Sequence, residues 1–152
     1  MREGEEEFPM KIRELTVGDD LAACIPVMRE LRPHLPPNGT EVVERIQRQM
    51  EQGYRLLSLE SGREVVALAG FRMQENLVFG RFLYIDDLVV SANARKQGHA
   101  ERLLDAVREI GVTDQREFLA LDTAVTNVAA QRVYHRCGYE TVAHHLIQRL
   151  AT

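Results

Sequence analysis

Two acidic side chains interrupt an otherwise apolar run, Phe82-Leu83-Tyr84-Ile85-Asp86-Asp87-Leu88-Val89-Val90. Successive side chains of a strand point to opposite faces, so burying this one turns at least one carboxylate inward, at a cost that a function would justify. A partly desolvated carboxylate keeps its proton to higher pH and can take one from a bound amine, directly or through a water. In regular alternation Asp86 shares a face with Tyr84, Leu88 and Val90. Just downstream, Arg95-Lys96-Gln97-Gly98-His99-Ala100 reads as a polar loop that opens a helix. The first backbone N–H groups of a helix have no intrahelical partner and carry partial positive charge, which suits phosphate. Gly98 and Ala100 let a diphosphate approach the main chain, and Arg95 and Gln97 add donors from the rim. By itself the spacing fits an ordinary surface helix equally well.

A second segment supplies the context: Leu121-Asp122-Thr123-Ala124-Val125-Thr126-Asn127-Val128-Ala129-Ala130-Gln131-Arg132-Val133-Tyr134-His135-Arg136-Cys137-Gly138-Tyr139. Arg-x-x-Gly-x-Ala after one strand, then Asn-x-x-Ala-x-x-x-Tyr and a closing Gly-Tyr after the next, resembles the GNAT superfamily of acetyl-CoA-dependent N-acetyltransferases. The motifs span residues 81 to 140. Ala92 stands where many members have proline, and Lys96 where many have glycine.

The resemblance implies an α/β (α+β) fold: a single GNAT-like domain over residues 1–152, its central mixed sheet splayed at the middle strands and flanked by helices. It implies acetyl-CoA as co-substrate, with pantetheine pairing to backbone groups of Leu88, Val89 and Val90, one of whose N–H groups would be the oxyanion donor. The diphosphate would fall on Arg95, Lys96, Gln97, Gly98, His99 and Ala100. Asn127 and Ala130 would contact the pantetheine arm, and Tyr134 would face the coenzyme A sulfur as general acid. A core aromatic is the plain alternative for Tyr134, and a simple helix cap for Asn127. Asp86 matches the acidic position that polyamine-type members carry in a similar Tyr-x-acid-Asp stretch. It is the expected base and Asp87 the structural partner of an arginine, although both could be structural. The acceptor would be lined by Arg32, His34, Leu35, Phe71, Tyr84 and Asp86. Carboxylates there suit a cationic polyamine-like or amino-sugar acceptor, whereas Arg32 or Arg72 would suit an amino-acid carboxylate.

The elements that must position these groups are legible from periodicity. Met10–Leu15 reads as a strand, and residues 21–31 as a helix kinked or divided by Pro26. A proline-rich loop follows, then a helix capped by Thr40 with Val42, Val43, Ile46 and Met50 inward, ending at Gly53. Residues 54–59, 64–73 and 81–90 read as strands, and a helix from Gln97 stops at Gly111. Residues 118–121 form a strand, the Asn127 helix follows, and two strands near 139–141 and 143–150 close the pattern βααβββαβαββ. This predicts a mixed sheet with helices on both sides. The open edge of the closing strands makes a homodimer plausible.

At 152 residues and a formal charge of −4, with scattered basic groups, the chain suits one domain and no nucleic-acid surface. The acidic residues Glu3 to Glu7 read as part of a flexible tail over 1–9. No apolar run is long enough to span a bilayer and no signal-like start is present, so a cytoplasmic location is expected. Cys24 and Cys137 suit reduced thiols, and His144 and His145, pointing to opposite faces of a strand, cannot chelate one metal, so no metal is expected. The expected activity is direct transfer of acetyl to a primary amine of a small molecule, amino acid or peptide. The alternative from another class is a non-catalytic acyl-CoA sensor, which would need neither Tyr134 nor Asp86.

Overall fold

The computed structural model describes residues 9–151, so the expected acidic tail lies almost wholly outside the described residues. Its elements run β1 (Met10–Leu15), α1 (Ile25–Leu31), α2 (Gly39–Glu51), β2 (Arg55–Ser61), β3 (Glu64–Asn76), β4 (Gly80–Val90), α3 (His99–Thr113), β5 (Phe118–Leu121) and α4 (Val128–Arg136). The five strands form one sheet in sequential order. β1 to β4 pair antiparallel. The α3 crossover returns the chain to the start of β4, where Glu117 N–H donates to the Arg81 carbonyl at 2.8 Å; β5 therefore sets out in the same direction as β4, and the sheet is mixed. The chain divides into two compact units, Met1–Ala120 and Leu121–Thr152.

In the first unit the alternation of side chains builds a core on each face of the sheet. Leu56, Leu68 and Val89 join Leu21, Cys24, Met28, Val42 and Ile46 in the cluster beneath α1 and α2. Leu57, one position on, turns to the opposite face, where it lines a cavity together with Ala106 and Ile110 of α3. Pro26 divides the first helix as expected: Leu21–Cys24 is a tight 3-10 turn, and α1 begins beyond it with proline in its first turn, where the missing N–H costs nothing. The proline loop is tied down by the Arg29 guanidinium, which donates to the carbonyls of Leu35 (3.3 Å), Pro36 (2.7 Å) and Pro37 (3.1 Å).

Three expectations need correction. The cap of α2 is Asn38, two residues before Thr40, and its Oδ1 accepts from Thr40 N–H at 2.8 Å. Gly111 does not stop α3 but sits inside it, buried, because a Cβ there would press on Leu119 Cδ2 at 3.3 Å. The closing strands at 139–141 and 143–150 are absent: these residues take no regular structure, and Val142, Leu146, Ile147 and Leu150 are exposed. Alternating apolar residues make a strand only when a neighbouring strand takes up their backbone groups, and without one the edge argument for a dimer loses its basis. His145 makes a local contact instead, 2.7 Å from Nδ1 to the Asp122 carboxylate.

Candidate active site

The site in the first unit is made by a bulge. In the β3–β4 register Phe71 lies opposite Ile85 and Gly70 opposite Asp87, which leaves Asp86 with no partner. One extra residue breaks the alternation. Asp86 and Asp87, which a regular strand would send to opposite faces, therefore both line one cavity of about 280 Å³ under α1, α2 and the loop between them.

Each carboxylate has a guanidinium. Arg32 donates from Nε to Asp87 Oδ1 (3.1 Å) and from Nη2 to the Asp86 carbonyl (2.9 Å). Arg72 donates from Nε to Asp86 Oδ2 (2.6 Å) and from Nη2 to Gln49 Oε1 of α2 (2.8 Å). The Tyr54 hydroxyl donates to Asp87 Oδ2 at 2.8 Å, and the Arg72 guanidinium lies 5.3 Å from the Tyr54 ring centroid. Tyr54 is 4% exposed. It reaches Asp87 over Gly70, where a Cβ would collide with its hydroxyl and ring. Burial pushes the Asp86 carboxyl above its usual range, more strongly than the hydrogen bond and charge of Arg72 pull it down. Burial, reinforced by the Asp87 charge, holds the Tyr54 phenol well above its ordinary value, so Tyr54 stays a donor.

Beyond the bulge the direction of the main-chain donors follows from one bond. Ser91 N–H donates to the Val66 carbonyl at 2.8 Å, and hydrogen-bonded pairs alternate along an antiparallel ladder. Val89 therefore also faces β3, while the N–H groups of Leu88 and Val90 point to the other edge of β4. That edge is where β5 would lie, but β5 has only four residues and sets out beside Arg81, so at about 3.3 Å per residue it ends before this part of β4. Arg95 Nε donates to the outward Val90 carbonyl at 3.3 Å.

The loop that follows suits an anionic group. Lys96 and Gly98 both have positive φ, 63° and 78°. Gly98 caps α3 with no side-chain acceptor of its own, and the first backbone bond back to it comes from Arg102 at 3.0 Å. The backbone N–H groups of His99 and Ala100, the first helical residues, come before that bond, at a helix start that suits an anion, and Nε2 of His99 is a buried nitrogen with no hydrogen-bond partner among the described residues. His99 is buried: as the first helical residue after the left-handed turn it points inward.

In the second unit Asn127 caps α4, its Oδ1 accepting from Ala130 N–H at 3.1 Å. Tyr134 is half-buried, packs against Tyr139 with ring centroids 6.0 Å apart, and is held protonated to higher pH by burial. Cys137 is exposed at the C-cap of α4. Cys24 is the buried thiol, pushed up to about 11 by desolvation.

Of the residues expected to line the acceptor, Arg32, His34, Leu35 and Asp86 border the cavity. Phe71 and Tyr84 do not border it. Phe71 is fully buried, stacked under the Arg55 guanidinium at 5.0 Å, in the part of the ladder before the bulge. Tyr84 belongs to that same regular stretch, opposite Arg72. Sequence reasoning missed Arg45, Gln49 and Tyr54. Gly70, inside an apolar strand, was the available sign of a bulge or a close approach. Among the described residues no group of histidines, cysteines or acids is arranged to hold a metal ion, and no helix is long and apolar enough to cross a membrane.

A mixed sheet bulged at a half-buried carboxylate, with outward main-chain donors and a phosphate-ready helix start beside it, defines an acyl-CoA-dependent transferase fold. The family model of the acetyltransferase (GNAT) family matches residues 25–139, and the chain belongs to that family. It is an acetyl-CoA-dependent acyltransferase. A Bacillus subtilis (strain 168) protein named as the uncharacterized N-acetyltransferase YhdJ is 27% identical over 124 residues, covering 81% of this chain and 86% of that one. The fold is similar to that of the aminoglycoside N-acetyltransferase AAC(6')-Iy in complex with CoA, with a TM-score of 0.79, 19% identity and coverage of 96% and 97% of the two chains. It is likewise similar to glucosamine-6-phosphate N-acetyltransferase from Arabidopsis thaliana, with a TM-score of 0.76, 17% identity and coverage of 94% and 99%.

Proposed function

We propose that the enzyme transfers acetyl from acetyl-CoA directly to a primary amine of a small molecule or amino acid, with Asp86 as the base and Tyr134 as the acid. The observation that carries this reading is the bulge, which puts a carboxylate of raised pKa in a cavity next to main-chain N–H groups not used by the sheet. The two fold neighbours named above act, by their names, on amines carried by sugars, and the relative from Bacillus subtilis is named for N-acetyl transfer.

Acetyl-CoA brings an activated acyl carbonyl. Asp86 takes the proton of the acceptor ammonium, which frees the lone pair, and the N–C bond forms as the C–S bond breaks. The N–H of Leu88 or Val90 donates to the carbonyl oxygen as negative charge gathers on it. Tyr134 gives its hydroxyl proton to the departing sulfur, the acylated nitrogen sheds its second proton to solvent, from which Tyr134 regains one, and Asp86 releases to solvent the proton it took. Lys96, Gln97, Gly98, His99 and Ala100 hold the diphosphate, and Asn127 and Ala130 line the pantetheine arm. Amine-dependent release of the coenzyme A thiol tests the reading. Asp86→Asn should lower kcat by about a hundredfold or more and abolish the acidic limb of the pH–rate profile. An unchanged profile in that variant would remove Asp86 from the mechanism.

A further inference from the structure

The cavity carries a cation for which the proposed chemistry has no use. Arg32 is committed to Asp87 and to the Asp86 carbonyl, and Arg72 to Asp86 and Gln49. Each carboxylate is thus already matched by a guanidinium. Arg45, exposed at its border, also lines the cavity, and its guanidinium makes no hydrogen bond or ion pair with a described residue. Its place is fixed by helix geometry: Arg45 and Gln49 are one turn apart on α2, whose other inward residues Val42 and Ile46 anchor that face in the core. One turn sets their Cα atoms about 6 Å apart along the helix. Arg45 therefore stands roughly one turn from the Gln49–Arg72–Asp86 chain that marks the reacting end of the cavity. Of the charged residues that line the cavity, Arg32 pairs with Asp87, and Arg72, from outside the lining, pairs with Asp86, which leaves Arg45 as the lining guanidinium with no carboxylate of its own.

We infer that the acceptor is an amine that also carries an anion, a carboxylate or a phosphate, which Arg45 binds while the amine lies at Asp86. This rests on the transferase reading above and narrows its substrate class. A polyamine would bring further positive charge to a cavity whose two carboxylates are already paired with guanidinium groups. An anion-bearing amine supplies the acceptor that Arg45 lacks, and a guanidinium holds either anion through two parallel hydrogen bonds.

The test compares matched acceptors with the full chain: L-methionine against L-methioninamide for a carboxylate, glucosamine 6-phosphate against glucosamine for a phosphate, and spermidine as the polycation. Thiol release gives kcat/KM, and calorimetry gives binding in the absence of acetyl-CoA. The expected result is that one anionic member is preferred over its uncharged match by about ten- to hundredfold. Arg45→Gln should erase that preference through KM, Arg45→Lys should restore part of it, and Arg48→Gln, on the same helix away from the cavity, should leave it alone. Equal or better use of spermidine or the uncharged partners, or a preference that survives Arg45→Gln, overturns the inference while leaving the transferase intact. If no amine promotes thiol release, the transferase reading fails separately, and calorimetry still decides this one: Arg45-dependent binding of the anionic acceptors supports it, and its absence overturns it.

Discussion

Gly70→Ala is the substitution whose effect the site geometry determines most directly. The added Cβ would overlap the hydroxyl and Cζ of Tyr54 and lie 2.6 Å from its Cε2. The ring cannot swing aside, because Tyr54 is 4% exposed and belongs to the core cluster under α1 and α2. Forcing a methyl into such packing costs about 1–3 kcal/mol, and losing the Tyr54 bond to the Asp87 carboxylate costs about 1.5–3 kcal/mol more. The stiffer unfolded chain returns about 0.5–1 kcal/mol. The net is a loss of about 3 kcal/mol, which at an m-value of about 2 kcal/mol/M lowers the urea midpoint by about 1.5 M. Tyr54→Phe alone should cost about 2 kcal/mol. The double variant should be less damaged than the sum of the two by about 1 kcal/mol or more, because Gly70→Ala has already broken the bond that Tyr54→Phe removes. A Gly70→Ala protein within about 0.5 kcal/mol of the parent, or strictly additive effects, would refute the packing of Tyr54 across Gly70.

Other outcomes follow from the same structure. Tyr134→Phe should slow turnover by about ten- to a hundredfold with acetyl-CoA affinity nearly intact, and unchanged turnover would remove Tyr134 from the chemistry. Since burial raises the Asp86 carboxyl, the acidic limb of kcat/KM should lie above the ordinary aspartate range, and a limb within that range would exclude it as the titrating group. Lys96→Gly should leave the melting temperature level or raise it, by up to about 1 kcal/mol in stability, because Lys96 holds a left-handed φ of 63° that costs a side chain energy; a clear loss would mean that the lysine has a packing role. Glu60 is held below its ordinary value of 4.5 first by its hydrogen bond to Arg13. Its contribution is complete above that pH and is lost as pH falls through the lower folded value, so Glu60→Gln should flatten the acid side of a melting-temperature profile.

The motifs that carry the family were fully legible, because they lie in segments whose chemistry is local: a glycine opening α3, an asparagine capping α4, and a strand interrupted by two acids. Even the odd residue of the expected phosphate loop fits the pattern, since Lys96, where a glycine is usual, takes the glycine-like φ. The arrangement of the cavity was hidden. Strict alternation assigns Asp86 and Asp87 to opposite faces, and only pairing with β3 reveals the bulge that puts them together. Tyr54, Gln49 and Arg45 come from segments far away in sequence, so no periodicity could join them to β4. The two closing strands were misjudged for the converse reason: alternation over 143–150 is necessary for a strand, but the partner that completes one is not written in the segment itself.

The most direct test of the account is a calorimetric titration of the full chain with acetyl-CoA, set against ATP as a nucleotide control. The site predicts saturable one-to-one binding of acetyl-CoA, much tighter than that of ATP, since Leu88 to Val90 and the α3 start act together only on a ligand that has both a diphosphate and a pantetheine arm. No binding of acetyl-CoA, or equal binding of ATP, would contradict the account.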